Sequence, residues 1–222
     1  VSRHYLERDT ATITVVTDVP ESTADAVAVT VNGLLVSQTS SGNLTTRVLY
    51  DALERRVGVT DPRVSMQDAQ TGLWTNINTT HYDAQGRVDY TEDTAGNRSS
   101  YAYDDAGRVA IVTNALGKSK RIAYTTRGQE WRVWGDTEYP VEYGYDAYGQ
   151  RIAMTTFRTE ANWAGESWPD PAPSGDATTW TYDAASGLVT AKTYADGHGP
   201  TYTYTLDGKL ATRTWARTDA NA

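Results

Sequence analysis

Tyr82-Asp83-Ala84-Gln85-Gly86-Arg87-Val88 returns almost letter for letter as Tyr103-Asp104-Asp105-Ala106-Gly107-Arg108-Val109. Looser copies begin at Tyr50 (YDALERRV), Tyr124 (YTTRGQEW), Tyr145 (YDAYGQRI), Tyr182 (YDAASGLV) and Tyr204 (YTLDGKL). The steps between these tyrosines are 32, 21, 21, 21, 37 and 22 residues. Self-similarity at a fixed period is the mark of a repeat architecture, so the period decides the fold before any local propensity does. It is near 21 residues, and two insertions lengthen individual units.

Each unit reads as a β-hairpin. Ahead of the signature, rings alternate with small residues, as in Tyr101-Ala102-Tyr103, Tyr143-Gly144-Tyr145, Trp180-Thr181-Tyr182 and Tyr202-Thr203-Tyr204. That is the two-residue period of a strand with one aromatic face. Asp-x-x-Gly then turns the chain: the carboxylate accepts backbone N–H groups two residues on, and glycine takes the positive φ a tight hairpin needs. A second strand follows, such as Val109-Ala110-Ile111-Val112-Thr113, and a second turn closes the unit at Asn114-Ala115-Leu116-Gly117 or Thr94-Ala95-Gly96-Asn97. The expected fold is all-β, a tandem array of antiparallel hairpins in a continuous twisted, spiralling sheet. A single hairpin cannot bury its ring face alone, so neighbouring repeats must stabilise one another.

The array is expected over residues 47–217, with insertions at about 63–79 and 158–179 and a short tail at 218–222. Residues 1–46 lack the signature but keep its logic. Val27, Val29 and Val31 lead into Asn32-Gly33, and Leu34-Leu35-Val36 lead out, which marks a degenerate hairpin of the same sheet. The insertion around Gly72-Leu73-Trp74 fits an extended hairpin. The other carries Pro169, Pro171 and Pro173, which no central strand accepts, so it is a surface loop whose Trp163 and Trp168 lie down on the sheet.

Composition agrees with half-exposed sheets. The chain has 222 residues with 15 Tyr and 7 Trp against one Phe, and rings with a polar end suit interfaces better than a closed apolar core. A net charge of −8 argues against nonspecific attraction to nucleic acid or anionic lipid. There is no cysteine, hence no disulfide and no thiolate metal site. No apolar run approaches the ~20 residues of a membrane span, and Val1-Ser2-Arg3-His4-Tyr5 is not a signal peptide. The chain is read as a segment of a longer polypeptide.

A Tyr-Asp-x-x-Gly-Arg unit repeated every ~21 residues resembles the YD repeats of the Rhs family. That family includes bacterial polymorphic toxins, insecticidal toxin-complex components, wall-associated proteins and teneurins. The resemblance runs over about residues 45–215, and it implies a sheet of hairpins winding into a hollow shell around a C-terminal effector, or an extracellular adhesion barrel. It also implies a secreted or cell-surface parent, with flanking repeats and the effector domain of the same polypeptide as partners. Its structural signature residues are Tyr50, Asp51, Tyr82, Asp83, Gly86, Arg87, Tyr103, Asp104, Gly107, Arg108, Tyr124, Gly128, Tyr145, Asp146, Gly149, Arg151, Tyr182, Asp183, Gly187, Tyr204 and Gly208. Glu54 stands in for the glycine of the first copy, Thr125 and Thr205 for two aspartates, and Gln129 and Gln150 occupy positions usual for arginine. The self-cleaving aspartate motif that follows the repeats in many relatives has no match; Asp61-Pro62 reads as an ordinary second turn.

No catalytic pattern emerges. His4, His81 and His198 lie far apart and outside metal-ligand spacings, and Asp196-Gly197-His198-Gly199 falls where a second turn belongs. The turn aspartates are expected to pair with Arg87, Arg108 and Arg151 rather than with calcium. No cofactor or metal is expected, and the chain is read as a non-enzyme. The rival reading is a carbohydrate-binding module with Trp131, Trp134, Trp163, Trp168 and Trp180 as stacking rings, which requires two or more coplanar rings open to water.

Overall fold

The computed structural model describes residues 2–6, 11–16, 26–40, 42–158 and 161–216, with side chains from residue 27 onward. The expected tail at 218–222 lies outside the described residues, as does much of the 1–46 stretch. Among the described residues there are β-strands and turns and no helix, so the all-β expectation is met. The strands fall into two compact units, residues 1–101 and 102–222.

The first unit holds β1 (Ser2–Leu6), β2 (Ala11–Val16), β3 (Ala26–Val31), β4 (Leu34–Thr39), β5 (Thr45–Tyr50), β6 (Arg56–Thr60), β7 (Met66–Gln67), β8 (Trp74–Thr75), β9 (Ile77–Tyr82) and β10 (Val88–Glu92). Each strand pairs antiparallel with the next in sequence, except that β6 pairs with β9. The short hairpin β7–β8 stands aside from that run, in the insertion expected to be an extended hairpin. The Asn32-Gly33 turn between β3 and β4 has positive φ at both residues, 51° and 83°, the pattern of a two-residue hairpin loop. Strand β11 (Arg98–Tyr103) contains the boundary between the units, and its first half pairs with β10.

The second unit holds β12 (Val109–Thr113), β13 (Ser119–Tyr124), β14 (Glu130–Gly135), β15 (Val141–Tyr145), β16 (Arg151–Thr156), β17 (Asp176–Tyr182), β18 (Val189–Thr193), β19 (Thr201–Tyr204) and β20 (Leu210–Thr214). From β12 to β20 each strand is bonded to its successor. All seven signature tyrosines are the last residues of their strands: β5, β9, β11, β13, β15, β17 and β19. Behind Tyr50, Tyr82, Tyr124, Tyr145, Tyr182 and Tyr204 the register slips by one residue, so one bulge sits at the same place in these six hairpins. That common bulge keeps the copies in step, including those with Gln129 and Gln150.

Few side chains are fully covered. Among the described residues Val133, Trp134 and Phe157, at 6–8% exposure, are the buried hydrophobic residues, and Pro200 is the largest side chain with no exposure to speak of. Trp134 and Phe157 pack against Trp163 and Trp168, which lie between β16 and β17. Most other described strands are half-buried, β7 and β20 being exposed, which is what one layer of amphipathic rings produces.

Candidate functional site

The residues with the most chemistry are the turn aspartates, and each is held by its own hairpin. The N–H of Asp104 donates to the carbonyl of Arg108 at 2.9 Å, and Gly107 N–H donates to the Asp104 carbonyl at 2.9 Å. Oδ1 of Asp104 accepts the N–H groups of Ala106 and Arg108, at 3.0 and 2.8 Å, while Oδ2 takes the Arg108 guanidinium at 2.6–2.7 Å. Asp83 with Arg87 and Asp51 with Arg55 repeat this geometry. Glycine is required because the fourth turn residue is left-handed, with φ 82° at Gly86 and 78° at Gly107. Hydrogen bonds from the Arg108 side chain and backbone, with its charge, hold the Asp104 carboxyl below the usual carboxylate range.

The tyrosines tie each hairpin to the one before it. Tyr50 donates its phenol O–H to the Leu35 carbonyl, Tyr82 to Arg56, Tyr124 to Val109, Tyr145 to Glu130, Tyr182 to Arg151 and Tyr204 to Val189, all at 2.8–3.0 Å. For all but Tyr50 the acceptor is the first residue of the second strand in the preceding copy. The arginine beside that acceptor then covers the ring: the guanidinium of Arg55 lies 4.5 Å from the Tyr82 centroid, and that of Arg108 lies 4.4 Å from Tyr124. Arg108 also donates to the Thr125 carbonyl at 3.3 Å. Asp, Arg and the next tyrosine therefore form one latch across two repeats. Burial raises the phenols of Tyr124 and Tyr182 above the ordinary value.

Two signature assignments change. Arg151 stands one position beyond the repeat arginine, because Gln150 fills that place; its guanidinium lies 4.2 Å from the Tyr143 centroid. Arg55 holds the repeat arginine's place in the first copy and pairs with Asp51, although Glu54 replaces the glycine that precedes the arginine elsewhere. Where glutamine replaces arginine the link survives in another form. Gln129 donates to the Gly149 carbonyl at 2.8 Å, and Gln150 to that of Gly187 at 2.9 Å.

The tryptophans do not make a platform. Trp134, Trp163 and Trp168 pack with Phe157 at interplanar angles of 44–89°, with the Trp134 indole N–H on the Gly165 carbonyl. The Arg132 guanidinium sits 3.8 Å from Trp131 and 4.9 Å from Trp168, and it pairs with Glu142. Lys192 lies over Trp180. His81 stacks on Tyr90 and pairs with Asp89, and the Asp196–Gly199 stretch lies at the turn closed by Tyr194 and His198. Asp61 begins a turn capped on Arg63. Among the described residues no three histidine or carboxylate groups converge as metal ligands.

Residues 82–119 match the family described as RHS Repeat. No curated protein matches the sequence. Among solved structures, the TcdB2-TccC3-Cdc42 crystal structure is similar at a TM-score of 0.54 and 15% identity, over 96% of this chain. A Tc holotoxin pore from Photorhabdus luminescens, carrying a TccC3 mutation, gives 0.54 and 14% over the same 96%, and TcdB2-TccC3 gives 0.54 and 15%. Likeness at this identity is likeness of fold. The chain spans 14% of the length of the chains it matches.

Proposed function

We propose, for a chain that belongs to the YD-repeat or Rhs-repeat family, that its structural repeats form one stretch of a β-shell that encloses or presents a C-terminal effector of the same polypeptide. The observation that carries this is the latch. The signature Asp, Arg and Tyr are engaged by the turn or by the adjacent repeat, so their task is to join hairpin to hairpin. Carboxylates already accepting two N–H groups and a guanidinium are poor bases and poor metal ligands, which supports a non-catalytic chain. The parent is then secreted or displayed at the cell surface, and no helix of the described residues is long and apolar enough to cross a membrane.

Carbohydrate stacking finds no support in Trp134, Trp163 and Trp168, whose rings meet edge to face. The shell is tested on the complete polypeptide containing this chain. Electron microscopy should show a hollow particle, and limited proteolysis should leave the downstream domain intact. An open array with a freely cleaved downstream domain would refute enclosure.

A further inference from the structure

The copies differ at one junction in a way that exposes a site. In the first and third copies the latch is complete: a turn aspartate pairs with the arginine four residues on, and that guanidinium covers the tyrosine of the next copy. In the fourth copy both charges are gone together, since Thr125 and Gln129 replace them. In the fifth copy only the cation is gone. Asp146 keeps its carboxylate, capping the N–H groups of Tyr148 and Gln150 through Oδ1, while Gln150 turns away to the Gly187 carbonyl. Among the described residues Asp146 has no ion pair, and no cation lies over the Tyr182 ring.

The place a guanidinium would fill is open. A groove of about 490 Å³ runs between the two turns, lined by Asp146, Tyr148, Gln150, Tyr182, Asp183 and Gly187 among others. Asp183 adds a second carboxylate that no arginine meets, because its turn is one residue longer and Leu188 follows the glycine. Its Oδ1 accepts the N–H groups of Ala185 and Ser186 and the Ser186 hydroxyl. Tyr148 stands at the mouth of the groove, 90% exposed. Of the neighbouring cations, Arg151 approaches Tyr182 but stacks on Tyr143, and Arg127 donates to the Ala147 carbonyl from the preceding turn.

We propose that this groove binds the guanidinium of an arginine side chain from another polypeptide segment, which pairs with Asp146, lies on the Tyr182 ring and so completes in trans the latch that Arg108 makes in cis. Two carboxylates set the sign of the ligand. The planar fork that suits both carboxylate and ring selects arginine over lysine. This site does not depend on whether the array closes into a shell.

The test is a calorimetric titration of the whole chain with N-acetyl-L-arginine amide, against N-acetyl-L-lysine amide and free arginine. The arginine amide is expected to bind saturably and weakly. The lysine amide should bind more weakly, and free arginine also, because its own carboxylate meets Asp146 and Asp183. Asp146→Asn keeps the capping oxygen and the Tyr182 ring but removes the charge, and should weaken binding by about two- to fivefold, the worth of one half-exposed ion pair. Gln150→Arg should abolish binding while melting no lower than the parent, since it supplies the missing side chain internally. No saturable binding, equal binding of the lysine amide, tighter binding of free arginine, or undiminished binding by the folded Gln150→Arg chain would each overturn the assignment.

Discussion

The phenol O–H is the smallest part of the latch and the easiest to isolate. Tyr124 donates to the Val109 carbonyl at 2.8 Å while its ring carries Arg108. Tyr124→Phe removes the donor, keeps the ring, and should cost about 1 kcal/mol in urea unfolding, the net worth of one such bond. A variant as stable as the parent would mean that ring packing alone joins the repeats. Acid should act through the other half of the latch. The Arg108 side chain and backbone lower Asp104, the Asn97 side chain and backbone lower Asp93, and the Ser186 hydroxyl and backbone lower Asp183. In the unfolded chain these carboxyls titrate near ~3.9, so their contribution is complete above about pH 4 and is lost as pH falls through their depressed folded values. Melting temperature should therefore hold between about pH 7 and pH 5 and drop steeply toward about pH 3. Asp104→Asn should start lower and lose less on acidification. An unchanged acid slope in that variant would remove Asp104 from the account.

At the scale of the hairpin, the turn demands a left-handed residue before the second strand, and six copies meet this with glycine, five at the fourth position and one, Gly187, a residue later. The first copy meets it with Glu54, held at φ 60°. A residue with a Cβ is strained there, and Glu54→Gly should raise stability by about 0.5–1 kcal/mol once the entropy of the unfolded glycine is set against the relief. Thermal melts decide it: no gain would show that the Asp51–Arg55 pair already compensates for the strain. The hairpins were legible in the sequence because their determinants are local. Asp, Gly and the closing tyrosine lie within six residues of one another, and the bulge recurs in phase. The latch was only half legible. An Asp–Arg pair four residues apart can be read off, but Gln129 reaching Gly149 or Tyr182 reaching Arg151 depends on which strands become neighbours. Spacing alone puts Gln150 in the arginine place and Arg151 one residue beyond it, but that Arg151 stacks on Tyr143 follows only from the pairing of neighbouring strands. The 158–179 loop showed its prolines and tryptophans but not that they would meet Phe157, since nothing local encodes that closure.

For the whole molecule the consequence lies at the last described strand. β20 is bonded to β19 on one side, all five of its residues are exposed, and Leu210 is 55% and Trp215 59% accessible. Beside it an apolar groove of about 390 Å³ is lined by Tyr194, Pro200 and Trp215. An unpaired strand with apolar side chains is a template for further pairing. With so few covered apolar side chains among the described residues, those residues have little internal core to hold them together without neighbours. At rising concentration the isolated chain should therefore grow in mass by light scattering and melt at a temperature that depends on concentration. Leu210→Lys with Thr212→Lys places two charges on the edge strand and should suppress the growth, since charged edges resist pairing. If the parent chain is strictly monomeric across the range and melts cooperatively at high temperature, β20 is a finished edge rather than a joint. The repeats would then form a self-contained domain, and the adhesion-type reading would replace the wall.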